Sequence, residues 1–420
     1  MRHLKLSLDL WISRCACRFR RVYSALKKIR KISLVDLAVQ VLPPFITRFF
    51  EGFYGKYRIT KAVPYQTRLQ EIIQQHPGAK PIIIFPPGLE WHIKIFQRPH
   101  HLALAFARQG ALVFYLQRQD VEVENDFQLI EERMYLCNVP TEAFYFLHNP
   151  FLYILTWNEQ FVVGFKSPQI IYDYVDEINI FDGKYAQLSR AHTKLVREAR
   201  LVVTTAERLY QKVLPFRSDA ILCPNGVDYN YFSSIKHSIV DLPPSDFAPV
   251  IATGKPVVGY YGSLAFWLDY NLLIELALIR KDLSFVLIGP DRDNSLPAKL
   301  LSIPNVYWFG AKDYTELTHY LRYFDIGIIP FKLNEITHSA SPLKLFEYMA
   351  GGKPVVITPM QESMRYDGVI VANNPGDFSQ KIDQALKLKT DPDYLLRIDN
   401  TAQKSTWEVR ARQILEALNQ

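Results

Sequence analysis

Ser339-Ala-Ser-Pro-Leu-Lys-Leu-Phe-Glu-Tyr-Met-Ala-Gly-Gly-Lys-Pro-Val-Val356 is the stretch whose reading decides the fold of this chain. Ser341 is a residue type that caps helices, and Pro342 suits a first helical position, so a helix is predicted over Pro342 to Ala350. Gly351 and Gly352 end it, and Pro354 to Thr358 reads as a buried strand. Backbone N–H groups at such a helix start lack intrahelical partners and sit at the positive end of the helix dipole, where a diphosphate can rest. Lys344 in the first turn adds a full positive charge. Glu347, one turn on, is placed to accept both hydroxyls of a ribose.

Outward from this stretch the same alternation repeats. Apolar runs at Pro256 to Tyr261, Ser284 to Gly289, Val306 to Phe309 and Ile326 to Pro330 read as strands, separated by helices near Asp269 to Arg280 and Tyr314 to Tyr323. Upstream, Pro81 to Phe85, Ala111 to Leu116, Gln169 to Tyr172, Leu201 to Thr205 and Ala220 to Cys223 read as strands, with a helix over Gln97 to Arg108. Continuous apolar strands between helices signal parallel sheets covered on both faces. The loosely patterned connector Asp241 to Pro256, with Pro243-Pro244 and Pro249, separates the two series. The expected fold is therefore α/β, with two Rossmann-like doubly wound parallel-sheet domains facing across a cleft. The boundaries read as a basic helical extension over 1–79, a first domain over 80–240, a linker over 241–255, a second domain over 256–390 and a helical tail over 391–420. Thr401 to Leu418 is amphipathic and suits packing against either domain.

A chain of 420 residues, 49% hydrophobic and 22% charged, has room for two cores and does not read as disordered or as a multi-span membrane protein. Its net charge of +7 points to an anionic partner. Much of that charge lies in residues 1–31, where ten Lys and Arg face only Asp9. Phe19, Val22, Tyr23, Leu26 and Ile29 recur at helical spacing between those cations, a pattern suited equally to an anionic membrane surface or to a helix packed on the protein itself. Nucleic acid is not the expected partner, since no groove-docking motif appears. Ser33 to Phe50 and Ala143 to Phe165 are interrupted by polar residues and prolines, so no spanning helix and no cleavable signal are expected. Four scattered cysteines, Cys15, Cys17, Cys137 and Cys223, fit a reduced cytoplasmic protein.

With these motifs the chain resembles the nucleotide-sugar-dependent glycosyltransferases of the GT-B fold, of the family 1/4-like type that builds bacterial surface polysaccharides. The resemblance rests on the Pro342 to Val356 segment, on Trp91 with Gln97-Arg-Pro-His-His-Leu102, on Cys223-Pro-Asn-Gly-Val-Asp228 and on Val258-Gly-Tyr-Tyr-Gly-Ser263, and it covers about Pro81 to Leu418. It implies a nucleoside diphosphate sugar as donor, UDP-linked, and a glycan or lipid-linked acceptor at the inner face of the cytoplasmic membrane. Donor binding is expected from Gly88, Arg98, Gly262, Ser263, Lys332, Ser341, Pro342, Leu343, Lys344 and Glu347. Acceptor and base belong to the first domain, where Asp173 is the first carboxylate after a strand and Asp176 follows it. No cofactor and no metal are expected, and Asp291-Arg-Asp293 reads as a loop. Ser339 stands where many retaining members carry a first glutamate, which leaves the stereochemical outcome open. A nucleotide-sugar 2-epimerase of the same fold and a non-catalytic nucleotide-sugar-binding assembly protein are the other readings.

Overall fold

The computed structural model describes residues 62–93, 95–118, 125–180, 184–237 and 242–420. The basic stripe over residues 1–31, the run Ser33 to Phe50, Cys15, Cys17 and Asp241 lie outside the described residues. Within the expected extension, a helix covers residues 62–75. Among the described residues no helix is long and apolar enough to cross a membrane.

The first sheet has eight strands: β1 (Ile82–Phe85), β2 (Leu112–Leu116), β3 (Phe127–Glu131), β4 (Met134–Cys137), β5 (Phe151–Ile154), β6 (Gln169–Tyr174), β7 (Leu201–Thr204) and β8 (Ile221–Leu222). They lie in the order β3-β4-β2-β1-β5-β6-β7-β8, and only the β3/β4 hairpin is antiparallel. Three of these strands had no counterpart in the expected set. Met134-Tyr-Leu-Cys137 and Phe151-Leu-Tyr-Ile154 are four residues each, too short for periodicity to separate strand from loop, and Phe127–Glu131 lies partly exposed at the sheet edge. The helices α1 (Arg98–Arg108), α2 (Tyr185–Glu198) and α3 (Glu207–Val213) accompany this sheet.

The second sheet is wholly parallel: β9 (Val257–Tyr261), β10 (Ser284–Ile288), β11 (Val306–Trp308), β12 (Ile326–Ile329), β13 (Val355–Ile357) and β14 (Ile370–Val371), ordered β11-β10-β9-β12-β13-β14. Every residue of β9, β10, β12 and β13 is buried, as a strand covered on both faces requires. Its principal helices are α4 (Tyr270–Ile279), α5 (Leu343–Ala350), α6 (Pro375–Leu388) and α7 (Pro392–Gln403). In both sheets the chain winds outward in one direction and then returns past its first strand, so the connections diverge beside β1 and beside β9. A crevice opens at the C-terminal strand ends at such switch points, and the two crevices form the walls of one cleft.

The tail is divided: α7 buries Tyr394, Ile398 and Ala402 in the second-domain core, and the helix after it packs on the first domain. Helix α8 (Trp407–Leu418), capped by Thr406, buries Trp407, Ala411, Ile414 and Leu418 in the same core as Leu102, Phe106 and Ile171. Trp407 stacks on His101 with the ring centroids 4.8 Å apart. Val227 N–H donates to Ser405 O at 2.9 Å, and a Cβ at Gly226 would lie a tight 3.0 Å from Ser405 O, so glycine suits this close approach of the two segments. The chain thus crosses the cleft a second time.

Candidate active site

The cleft encloses a cavity of about 330 Å³ between the two crevices, at the small end of the ~300–1,000 Å³ typical of ligand sites. On the second-domain side β9 runs into Gly262, whose φ of 131° suits glycine. A Cβ there would lie 2.9 Å from Lys344 Cε, and one at Gly289 would lie 1.9 Å from Gly262 O. Two glycines therefore bring the exits of β9 and β10 against the first turn of α5. Gly262 and Ser263 both line the cavity.

Helix α5 starts one residue later than its sequence suggests. Pro342 has ψ 121°, an extended value, and takes the cap position without lining the cavity; Leu343 is the first helical residue. Ser341 is not the cap. Its Oγ accepts from Asn225 N–H at 3.2 Å and its carbonyl accepts from Asn225 Nδ2 at 2.6 Å, so the loop that leads into α5 is tied to the first domain. The first in-helix acceptor is Pro342 O, which receives Leu345 N–H, leaving the Leu343 and Lys344 amides ahead of that bond at the cavity wall.

Lys344 and Glu347 share the cavity face of α5. The Lys344 ammonium lies 5.1 Å from the Tyr260 ring centre and 5.3 Å from that of Phe331. Burial pulls the lysine pKa down and pushes the Glu347 carboxyl up, and each charge partly opposes the shift of the other. Ionisable groups held out of bulk water in a cleft, with pKa values shifted by burial, mark this face of α5 as the candidate binding site. Lys332 does not join them: it is exposed and absent from the cavity wall. Its place is taken by Arg292, over Trp267, and by Lys312, paired with Asp246 at 2.6 Å. Arg292 was hidden inside Asp291-Arg-Asp293, where Asp291 accepts Ser295 N–H and Asp293 accepts Phe266 N–H, so both acids fold the loop that presents the arginine.

The first-domain wall corrects three expectations, those for Asp173, Arg98 and Gly88. Strand β6 continues to Tyr174, two residues past the predicted end, so Asp173 lies inside the strand and is fully buried. Its carboxylate receives Arg98 Nε at 2.6 Å and Arg98 Nη2 at 3.1 Å, together with the Tyr153 hydroxyl. Arg98 Nη1 also donates to Pro224 O at 3.0 Å. Asp173 is thus no accessible base, and the Arg98 charge is spent on it and not on a phosphate, although Arg98 forms part of the cavity floor. Asp176, three residues on, is half-buried and lines the cavity. Burial raises its pKa to about 6; Asp173 and Glu177 add to the shift and Arg292 opposes it. Gly88 lies exposed beyond β1, beside Asn158, while its neighbour Leu89 reaches the wall. Trp157, which follows β5, also lines the cavity; the missed strand concealed it.

Residues 255–388, which contain Gly262, Lys344 and Glu347, match the family model described as glycosyl transferases group 1. The chain is 30% identical over 269 residues to the putative teichuronic acid biosynthesis glycosyltransferase TuaH of Bacillus subtilis (strain 168). The chain belongs to the group 1 glycosyltransferases. The TuaH match takes in 59% of this chain and 66% of the relative's length. Solved structures with the same GT-B fold include Anabaena Alr3699/HepE in complex with UDP and glucose, with a TM-score of 0.54 and 16% identity over 80% of this chain and 99% of that one. An α,α-trehalose-phosphate synthase (UDP-forming) from Burkholderia xenovorans, in complex with glucose-6-phosphate, gives a TM-score of 0.59 and 10% identity over 81% of this chain and all of that one. In this group 1 glycosyltransferase the family match thus falls on the half of the cleft that carries the half-buried Lys344 and the buried Glu347.

Proposed function

We propose that the protein transfers a sugar from a nucleoside diphosphate sugar, UDP-linked, to a glycan or lipid-linked acceptor in surface polysaccharide synthesis. The observation that carries this reading is the half-buried Lys344 and the buried Glu347 on one face of α5, beside the Gly262 turn and the first-turn amides. Lys344 and the Leu343 and Lys344 amides hold the diphosphate, and Glu347 holds the ribose. Relatives bound to UDP support the choice of base. The acceptor hydroxyl attacks the anomeric carbon, the bond from that carbon to the diphosphate oxygen breaks, and the diphosphate leaves with the bonding electrons. Asp176 takes the hydroxyl proton.

Charge is divided unequally across the cleft. Among the described residues its cations not committed to Asp173 are Lys344, Arg292 and Lys312, all from the second domain, whereas the first-domain wall offers Leu89, Ile95, Phe96, Trp157 and Ile180 around Asp176. An acceptor presenting an uncharged, partly apolar face fits that wall better than a sugar phosphate does.

Replacing Glu347 by Ala is expected to weaken UDP-sugar binding by ~1 to 3 kcal/mol, the loss of hydrogen bonds to a charged group. Titration calorimetry with a panel of UDP- and GDP-sugars measures this, and an unchanged affinity would remove Glu347 from the ribose site.

Attachment to the inner face of the cytoplasmic membrane through residues 1–31 belongs to the same proposal and is supported by their cations and apolar stripe. Each cation near an anionic surface contributes on the order of 1 kcal/mol, which salt screens, while the apolar side chains add a contribution that salt does not weaken. Cosedimentation with anionic vesicles is expected for the full chain, only partly reversed by salt, and not for a chain beginning at Ser33. Equal binding of both would assign the attachment elsewhere.

A further inference from the structure

Glu177 follows Asp176 directly, and it is buried and charged without facing the cavity. Its carboxylate joins three elements. Ser339 Oγ, from the donor loop of the second domain, donates to Glu177 Oε1 at 2.7 Å. Lys212 Nζ, on α3, donates to the two oxygens at 2.6 and 2.7 Å, and Arg208 Nε lies 3.6 Å away. Arg208 in turn bonds Glu335 of the second domain at 2.7 Å. Ser339 is 1% exposed, so this contact is shielded from water, where a hydrogen bond to a charged group keeps most of its strength.

Two residues beyond Ser339, the Ser341 contacts to Asn225 tie the same loop to the first domain again. The loop that leads into Lys344 is therefore fixed at two points, one of them adjacent to Asp176. We infer that Glu177 and Ser339 form a cross-domain positioning contact that sets where Asp176 stands against the donor site. The inference rests on the sugar-transfer reading, because only there does the register of Asp176 against a donor matter. A hydroxyl suits position 339 because the carboxylate already arrives from the other domain; a second carboxylate there would repel it. Asp176 is faced by Asp173 and Glu177 from its own strand and turn and by Arg292 from the second domain. Glu177 is faced by Lys212 and Arg208 of α3 and acts on His192 of α2 and on Tyr174.

The test uses the full chain with UDP-glucose as the probe, following UDP release, donor affinity and hydrogen exchange of residues 174–180. Ser339→Ala should lower kcat for UDP release about tenfold, the loss of one hydrogen bond to a charged group, while donor affinity stays near the wild-type value. Ser339→Thr keeps the hydroxyl and should restore kcat; Ser339→Glu should lower it further. Glu177→Gln removes a negative charge beside Asp176 and should move the acid limb of the pH profile to lower pH, which loss of packing alone does not do. Exchange at 174–180 should quicken in Ser339→Ala and Ser339→Glu and stay slow in Ser339→Thr. Wild-type kcat and wild-type exchange in both Ser339→Ala and Ser339→Glu would overturn the inference even with donor binding intact. Absence of any nucleotide-sugar binding to the wild-type protein would instead sink the transfer reading, and the exchange pattern would then decide whether the contact exists.

Discussion

Asp176→Asn is expected to lower the transfer rate by about 100-fold or more while leaving nucleotide-sugar affinity close to wild type. Asparagine keeps the size of the side chain and its place at the cavity wall but cannot accept the acceptor's proton. The donor residues Lys344 and Glu347 sit on the opposite domain, so binding of the nucleotide is not touched. The pH profile of kcat/KM offers a second measurement on the wild-type protein. A carboxyl with a pKa of about 6 is protonated and inactive as a base below that value, so kcat/KM should rise with pH through about 6 and then level off. The anomeric configuration of the product, read by NMR, separates the two possible fates of the proton. A near-normal rate in Asp176→Asn, with retention of configuration, would assign the proton to the leaving diphosphate and remove Asp176 from the chemistry.

The second large effect falls on stability. Asp173→Asn leaves Arg98 buried and charged with its bidentate partner gone, and breaking such a pair from one side costs about 3 to 5 kcal/mol. The side chains are 0% and 5% exposed, so solvent screening does not reduce the figure much. Denaturant unfolding followed by the first-domain tryptophans should show the loss, whereas Asp176→Asn, at the half-buried cavity wall, should change the midpoint little. Equal stability of the two variants would mean that the Arg98–Asp173 pair contributes no more than a surface contact. The paired result also tests the reassignment itself. A loss of activity in Asp173→Asn is expected to follow the loss of folded protein, and in Asp176→Asn to occur without it.

Those two aspartates mark where reading the sequence stopped. The two sheets and the helix carrying Lys344 and Glu347 were determined by local signals: buried apolar runs, a Ser-Pro start, a Gly-Gly-Lys-Pro exit. Each such signal is contained within about twenty residues, because backbone conformation answers to neighbours along the chain. The domain boundary was not determined by them, since Phe232 and Ile235, expected in the first domain, and Phe247 and Val250, expected in the linker, lie in the core of the second. The roles of Asp173 and Asp176 could not be settled in that way. They differ by three positions, and only the extra length of β6 puts one in the core and the other at the cleft. Arg98 looked like a phosphate ligand until its partner, 75 residues away, was in place. The last helix of the tail fitted either domain by its amphipathic pattern, and the choice fell to Gly226 and to the stacking of Trp407 on His101. Ser339 looked like a missing carboxylate. Its partner Glu177 is 162 residues away in the other domain. Burial and ion pairing depend on which distant groups share a low-dielectric space, and that is decided only when the sheets pack and the cleft closes.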